Sequence, residues 1–248
     1  MTKLAQVHDL PWGAEIADAQ WVVFRAAIAA ARDNQIPFAL GGAVALAYYT
    51  RQWRPTKDLD MYVKPDDRER LIAAIREAGL RDLFDEQPYD RRWIYRSHIH
   101  NVIVDIIWAM ANLTAEVDDA WLNRGPILRV RGVEVRVLPP EELVWTKLYV
   151  LQRDRCDWPD ILNILCSAAP SVDWAYLLER IADDAPLLSA VLAVFTWLCP
   201  GQSLNLPDWV RERLSLPKSD NPNLPMDRQR ACKLDSRPWL RLIPEQPC

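Results

Sequence analysis

Two aspartates separated by one residue, Asp58 and Asp60, are the residues whose types and spacing most clearly predict chemistry in this 248-residue chain. The run from Asp58 to Val63 begins with alternating polar and apolar residues, which is typical of a half-buried strand. Side chains at positions i and i+2 of a strand point to the same side, so we expect the two carboxylates to lie side by side. A cation relieves the repulsion between them, and Mg²⁺ binds carboxylate and phosphate oxygens together. The pair therefore predicts a site for Mg²⁺ or Mn²⁺.

A pair of glycines upstream, Gly41 and Gly42, predicts the other half of such a site. A short apolar run before them, from Phe38 to Leu40, predicts a buried strand, and the residues from Ala43 to Tyr49 predict a helix. A glycine turn between a strand and a helix lets the backbone approach a ligand, and the N–H groups at the helix N-terminus point at an anion. A phosphate binder next to a carboxylate pair indicates phosphoryl chemistry with a metal ion between them.

The order Gly41-Gly42, helix, Thr56-Lys57-Asp58-Leu59-Asp60 resembles the signature of the polymerase-beta-like nucleotidyltransferase superfamily. That superfamily places a third carboxylate on a later strand, and the apolar run from Asn101 to Trp108 offers Asp105 for this role. A carboxylate in such a strand is costly to bury unless it is paired or bound to a metal. The resemblance implies a nucleoside triphosphate (NTP) as substrate, catalytic and metal-binding roles for Asp58, Asp60 and Asp105, and nucleotide contacts by Gly41, Gly42, Thr56 and Lys57.

A later segment resembles the helical motif of the AbiEii/AbiGii-type toxin nucleotidyltransferases, in which a lysine and an arginine precede two acids. The matching residues are Lys147, Arg153, Asp157 and Asp160. The resemblance implies a phosphate contact for Lys147 and supporting roles for the other three. Lys147 is equally compatible with a solvated helix lysine, and acids at a helix start are also favoured by capping and the helix dipole. The spacer between Gly42 and Asp58 is slightly long for that family, and Thr56 stands where serine is more usual.

The mechanism that the resemblance implies is a two-metal transfer of a nucleoside monophosphate from the NTP to an acceptor hydroxyl of a tRNA, a protein or a small molecule. Resemblance to toxins also implies a neighbouring antitoxin protein. Two alternatives stay open: an aminoglycoside-type antibiotic nucleotidyltransferase, and a non-catalytic nucleotide- or partner-binding protein on the same fold. Arginines near Asp58 argue against an acidic pocket for a cationic antibiotic, and the presence of all three carboxylates argues against the non-catalytic alternative.

The composition of the chain indicates where in the cell the protein is located, but it does not indicate which reaction it catalyses. The net charge of −4 and the isoelectric point near 5.5 do not indicate a general nucleic-acid binder. The five cysteines show no CxxC spacing, the first ten residues lack a signal-peptide core, and no apolar run reaches the roughly 20 residues of a membrane span. We therefore expect a cytoplasmic protein. Arg91, Arg92 and Arg96 form a local basic cluster that is either a solvated face or a polyanion contact.

The order of predicted elements gives an α/β (α+β) fold: a nucleotidyltransferase-type mixed sheet flanked by helices, followed by a helical domain. The predicted domains are 1–138, 139–216 and a Pro-rich tail, 217–248, that is either disordered or wraps the body through Trp239, Leu240 and Ile243. In the first domain we expect helices over 14–31 and 65–79, strands over 92–97 and 101–108, and a hairpin over 127–137. In the second we expect helices over 141–152, 158–167, 172–182 and 187–198, with Ser171 as the N-cap of the third.

Overall fold

The chain forms two separate units in the computed structural model, which describes residues 7–9, 11–235 and 240. One unit contains the described residues up to Tyr48 together with Gln52–Pro139, and the other contains Tyr49–Arg51 and the described residues from Pro140 onwards. The predicted domain limits, 1–138, 139–216 and 217–248, stay a prediction. Trp239 and Ile243 lie outside the described residues, whereas Leu240 is buried.

The first unit mixes strands and helices. Short 3-10 turns lie at Pro11–Glu15 and Pro65–Asp67. The regular elements are β1 (Val7–Asp9), α1 (Asp18–Asp33), β2 (Ala39–Leu40), α2 (Gly42–Thr50), β3 (Asp58–Tyr62), α3 (Arg68–Glu77), β4 (Arg81–Asp82), β5 (Ile94–Ile99), β6 (Val102–Ile107), α4 (Asp119–Asn123), β7 (Ile127–Val130) and β8 (Val133–Arg136). The last two residues of α2, Tyr49 and Thr50, are counted with the other unit.

A five-stranded sheet in the order β2-β3-β6-β5-β4 is the centre of this unit. Strands β3 and β6 are parallel, and the other neighbouring pairs are antiparallel, so the sheet is mixed. One face of it is core, because Leu59, Met61, Val104 and Ile106 are at most 1% exposed. Helices α1 and α3 contact each other and strand β6. The mixed α/β fold class is confirmed.

A smaller sheet contains the predicted hairpin. Strands β7 and β8 pair antiparallel across the turn at Arg131-Gly132, and β1 adds to β7 in parallel. Gly132 has a φ of +81° in the turn, a conformation that favours glycine. Arg131 donates hydrogen bonds to the carbonyl oxygens of Gly13 and Ile16, which ties the turn to the segment before α1.

The second unit is helical in the part of it that the structure describes. Its core includes the fully buried side chains of Leu188, Val191, Leu192 and Phe195. The helices are α5 (Pro140–Leu148), α6 (Trp158–Ala168), α7 (Trp174–Ile181), α8 (Ala185–Leu198), α9 (Asp208–Arg213) and α10 (Arg228–Ala231).

Two local predictions in this unit were wrong. Helix α5 ends at Leu148 rather than at Gln152, because the chain turns there and the Gln152 N–H donates to the carbonyl oxygen of Arg155. The N-cap of α7 is Asp173, whose carboxylate accepts a hydrogen bond from the N–H of Tyr176. Ser171 instead donates to the carbonyl oxygen of Ala168 within a 3-10 turn.

The stretch from Trp174 to Leu198 meets the length and composition criteria for a membrane span. It consists of α7, a 3-10 turn at Ala182–Asp184 and α8, and Ala182 has a φ of +49° at the junction. The stretch also supplies the buried core residues of α8. This arrangement is that of core helices with a break between them.

Candidate active site

The two aspartates of β3 lie on one side of the sheet. Asp58 and Asp60 are partly exposed, whereas Leu59 and Met61, which alternate with them, are buried against the core. This alternation places both carboxylates on the face opposite the core, because strand side chains alternate between faces.

Asp105 lies on the same face, directly beside Asp60. Strand β6 runs parallel to β3 with Asp105 as the register partner of Asp60, and neighbouring strands are about 4.8 Å apart. Asp105 is only 3% exposed. Burial raises the pKa of its carboxyl, and the charge of Asp58 raises it further, although hydrogen bonds from Arg96 act in the opposite direction.

The glycine turn lies against the same carboxylates. The N–H of Gly41 donates to the carbonyl oxygen of Asp60 over 3.0 Å. Gly42 has a φ of +47°, and a β-carbon at residue 42 would overlap the carboxylate of Asp60. A β-carbon at residue 41 would overlap the ring of Tyr62. Both positions therefore require glycine, and the N-terminus of α2 lies next to Asp60.

Thr56 and Lys57 form the loop that leads into β3. The Thr56 hydroxyl donates a hydrogen bond to Asp58 Oδ1, and the Gln20 side-chain amide donates to the Thr56 carbonyl oxygen over 2.6 Å. The Lys57 carbonyl oxygen accepts from the N–H of Ile103, and the Lys57 side chain is exposed. Thr56 thus orients a carboxylate of the pair.

Arg96 is the residue of this site that the sequence analysis did not assign. It is the register partner of Asp105 on the other side, in antiparallel β5. Its Nε donates to Asp105 Oδ1 over 2.9 Å and its Nη2 donates to Oδ2 over 3.0 Å. Burial alone would lower the pKa of Arg96, but the hydrogen bonds and charge of Asp105, with the charges of Asp58 and Asp60, raise it.

The pairing of Arg96 with Asp105 could be predicted from the short turn that joins their two strands. Strands β5 and β6 are joined by a two-residue turn at His100-Asn101, in which His100 has a φ of +52°. A two-residue turn fixes the register of a hairpin, and from it Arg96 falls opposite Asp105.

The donor set fits a divalent ion at the carboxylate pair. Asp58 and Asp60 supply the oxygen ligands that Mg²⁺ and Mn²⁺ prefer, at the spacing of alternate strand residues. Within the described residues, no three His, Cys, Asp or Glu side chains are grouped so that they could hold a metal ion together. Both oxygens of Asp105 accept hydrogen bonds from Arg96 instead.

A family model described as "Uncharacterised nucleotidyltransferase" matches residues 24–198, which is more than half of the chain and includes the glycine turn and all three aspartates. The chain belongs to this nucleotidyltransferase family. No protein of curated function matches the sequence.

Solved structures of several other proteins resemble this nucleotidyltransferase distantly. The antibiotic-resistance factor ANT(2'')-Ia is 19% identical, covers 72% of this chain and 92% of its own, and has a TM-score of 0.43. The lincosamide antibiotic adenylyltransferase LnuA is 13% identical, with coverages of 60% and 96% and a TM-score of 0.43. JHP933 from Helicobacter pylori is 14% identical, with coverages of 81% and 95% and a TM-score of 0.43.

The helical motif of this nucleotidyltransferase is an ion-pair network in the second unit. Lys147 is 9% exposed, and its ammonium donates to Asp160 over 2.6 Å and to Asp157 over 3.2 Å. The expectation of a solvated lysine is therefore wrong, and the expected phosphate contact stays a prediction.

The arginine that reaches the motif is Arg155, which donates two hydrogen bonds to Asp157, whereas Arg153 is exposed. Burial alone would raise the pKa of Asp157, but the hydrogen bonds from Arg155 and the charge of Lys147 lower it overall. These contacts support a structural role for the acids of the motif.

The basic cluster of the first unit is internally neutralised. Arg91 pairs with Asp82 over 2.6 Å and Arg92 with Asp90 over 2.6 Å, while Arg96 pairs with Asp105. Each arginine of the cluster thus has its own carboxylate, which weakens the case for a polyanion contact there.

Proposed function

We propose that this protein transfers a nucleoside monophosphate from an NTP to an acceptor hydroxyl at the face formed by Asp58, Asp60 and Asp105. The observation that carries the proposal is the position of Asp60, which lies between the Gly42 turn and Asp105. A glycine turn at a helix N-terminus and a group of carboxylates are the two parts that phosphoryl transfer needs, and they are in contact.

The turn at Gly41-Gly42 is the proposed site of the triphosphate. The first N–H groups of α2 have no partner within the helix, and they are the groups proposed to bind the phosphates. Thr56 and Lys57 flank the same face and are the proposed further nucleotide contacts, with Thr56 also orienting Asp58.

The proposed metal ligands are Asp58 and Asp60, with Mg²⁺ or Mn²⁺ as the ion. The chemistry that such an ion supplies is neutralisation of charge on the triphosphate and polarisation of the α-phosphate. The two-metal form that the resemblance implies adds Asp105 as a ligand, and this requires Arg96 to release it.

The proposed catalytic role of Asp105 is that of a base. The acceptor oxygen attacks the α-phosphorus, its proton passes to Asp105, the bond to the β-phosphate breaks, and pyrophosphate leaves. The position of Asp105 beside Asp60, on the face that carries the carboxylate pair, supports this role.

The finer proposal places the protein among the AbiEii/AbiGii-type enzymes, with a tRNA acceptor, an antitoxin partner and a cytoplasmic setting. It depends on the helical motif of Lys147, Asp157 and Asp160, whose side chains are in contact. A protein or small-molecule acceptor is compatible with the same three aspartates.

The test is label transfer from each of the four α-³²P-labelled NTPs with Mg²⁺. Separate reactions contain total tRNA, the protein alone, or an aminoglycoside. Label on tRNA supports the toxin-type acceptor, label on the aminoglycoside supports the antibiotic alternative, and label on the protein indicates self-modification. NTP binding without pyrophosphate release in any reaction would favour a non-catalytic nucleotide-binding protein and contradict the proposal.

A further inference from the structure

Three charged residues form one row across three adjacent strands: Asp60 on β3, Asp105 on β6 and Arg96 on β5. Asp60 and Asp105 are register partners, and so are Asp105 and Arg96. Hydrogen-bonded ladders hold the backbone on both sides of Asp105. Its carboxylate therefore has a second acid on one side and a guanidinium on the other.

The contact between Arg96 and Asp105 is a charge-assisted, hydrogen-bonded ion pair, which is a strong type of interaction. It is bidentate, with two N–H groups of the fork donating to the two carboxylate oxygens. The Asp105 side chain is 5% exposed and the Arg96 side chain 29% exposed. Separating such a pair leaves a buried charge without its partner, which is strongly unfavourable.

The charges on this face suit one divalent ion. Arg96 is paired with Asp105, and the Asp58 and Asp60 pair supplies two carboxylates for one divalent ion. A second ion on Asp105 would compete directly with Arg96 for the same two oxygens.

We propose that Arg96 takes the place of the second metal ion, so that the protein binds one divalent ion, at Asp58 and Asp60, while Arg96 holds Asp105. The inference rests on the proposed function, because it takes the carboxylate pair as the metal site. Arg96 is then a positioning residue, which keeps the carboxylate of Asp105 fixed beside Asp60.

The test is a titration with Mn²⁺ alone, in which electron paramagnetic resonance measures the free ion. The wild-type chain should bind one Mn²⁺, and Asp58→Asn should weaken its binding by at least about tenfold. Arg96→Met should bind a second Mn²⁺, because Asp105 becomes available, whereas Arg96→Lys, which keeps the positive charge, should still bind one.

The double variant Arg96→Met with Asp105→Asn is the matched control, since it removes one positive and one negative charge together. It should bind one Mn²⁺ with an affinity within about threefold of wild type, a change well below that expected for a lost ligand. Circular dichroism establishes that each variant is folded, and the number of Mn²⁺ ions on the wild-type chain and on the double variant tests the inference if Arg96→Met does not fold.

Three results would overturn the inference: two Mn²⁺ ions or none on the wild-type chain, a single ion on folded Arg96→Met, or loss of Mn²⁺ binding in the double variant. Two ions on the wild-type chain would leave the proposed transfer reaction intact, since label transfer tests that reaction separately. Absence of label transfer with one Mn²⁺ bound would count against the proposed function and not against the role of Arg96.

Discussion

Gly42 and Asp60 are in contact, so that a β-carbon at residue 42 would occupy the position of the Asp60 carboxylate. The two residues belong to different motifs, the glycine turn and the carboxylate pair. Their contact joins the proposed phosphate site to the proposed metal site, and it makes the position of Asp60 sensitive to any side chain at residue 42.

Gly42→Ala should therefore reduce turnover strongly. The left-handed backbone, with a φ of +47°, costs an alanine about 1–2 kcal/mol, and the methyl group must displace the Asp60 carboxylate. We expect the rate of pyrophosphate release to fall by at least about a hundredfold. Loss of one group that stabilises charge in a transition state lowers the rate by roughly that factor.

Gly79→Ala is the control for backbone strain. Gly79 has a φ of +94°, and a β-carbon there meets nothing within 4 Å. This variant should lose stability in urea unfolding but keep wild-type turnover per folded molecule. Equal turnover in Gly42→Ala and Gly79→Ala would show that the contact with Asp60 is unimportant.

Thr56→Val should slow the reaction because Asp58 loses a hydrogen bond. A hydrogen bond to a charged group contributes about 1.5–3 kcal/mol, which corresponds to roughly a tenfold to hundredfold loss in rate. Thr56→Ser retains the hydroxyl and should retain most of the rate. Steady-state pyrophosphate release measures the rates of both variants. Equal losses of rate in Thr56→Val and Thr56→Ser would show that Thr56 acts through packing and not through its hydroxyl.

The sequence predicts this site only in part. The spacing of residues along one strand can be read from a short stretch of sequence, whereas the pairing of two strands cannot. Alternation places Asp58 and Asp60 on one face without knowledge of any other strand. The register of Asp60 against Asp105 depends on which strands pair and by how much they are offset. Arg96 could have been found, since the short turn at His100-Asn101 fixes that register locally.

The elements missed by the sequence analysis are short or lack periodicity. Strand β4 has two residues, and α10 has four. Helix α4 has five residues, and its start is fixed by Asp118, whose side chain accepts hydrogen bonds from the N–H groups of Ala120 and Trp121. Elements of this length are held by caps and packing rather than by a pattern long enough to detect.

Lys147→Met should destabilise the helical unit. It leaves the acids Asp157 and Asp160 without the buried ammonium, and breaking a buried ion pair in this way costs about 3–5 kcal/mol. Arg153→Met is the matched control, because Arg153 is exposed and its replacement should change stability by less than about 0.5 kcal/mol. Urea unfolding measures both. A small effect of Lys147→Met on stability, with a large loss of NTP affinity, would instead favour the phosphate contact.

Glu142 should make the stability of the protein depend on pH. It is fully buried, its Oε1 accepts a hydrogen bond from the Tyr176 hydroxyl, and Oε2 has no hydrogen-bond partner among the described residues. Burial raises the pKa of Glu142 above its ordinary value of 4.5. Its contribution to stability is therefore complete below pH 4.5 and is lost as the pH rises through the folded-state pKa.

Glu142→Gln does not titrate, so the variant should gain stability relative to wild type between pH 4.5 and pH 8. The gain is about 1.4 kcal/mol for each unit by which the pKa is raised. Glu77→Gln, at an exposed position, is the matched control in the same urea unfolding series. A stability difference between Glu142→Gln and wild type that is the same at both pH values would contradict the assignment.

The most direct test of the central claim is pyrophosphate release by the double variant Asp58→Asn with Asp60→Asn, measured with the NTP that the label-transfer reactions identify. Asp85→Asn, which changes an exposed acid, is the control for loss of negative charge. If the carboxylate pair binds the metal, the double variant should lose at least about a hundredfold in rate. Its melting temperature should be unchanged or raised, because repulsion between the two carboxylates is removed. Pyrophosphate release at the wild-type rate from a folded double variant would contradict the claim that Asp58 and Asp60 form the active site.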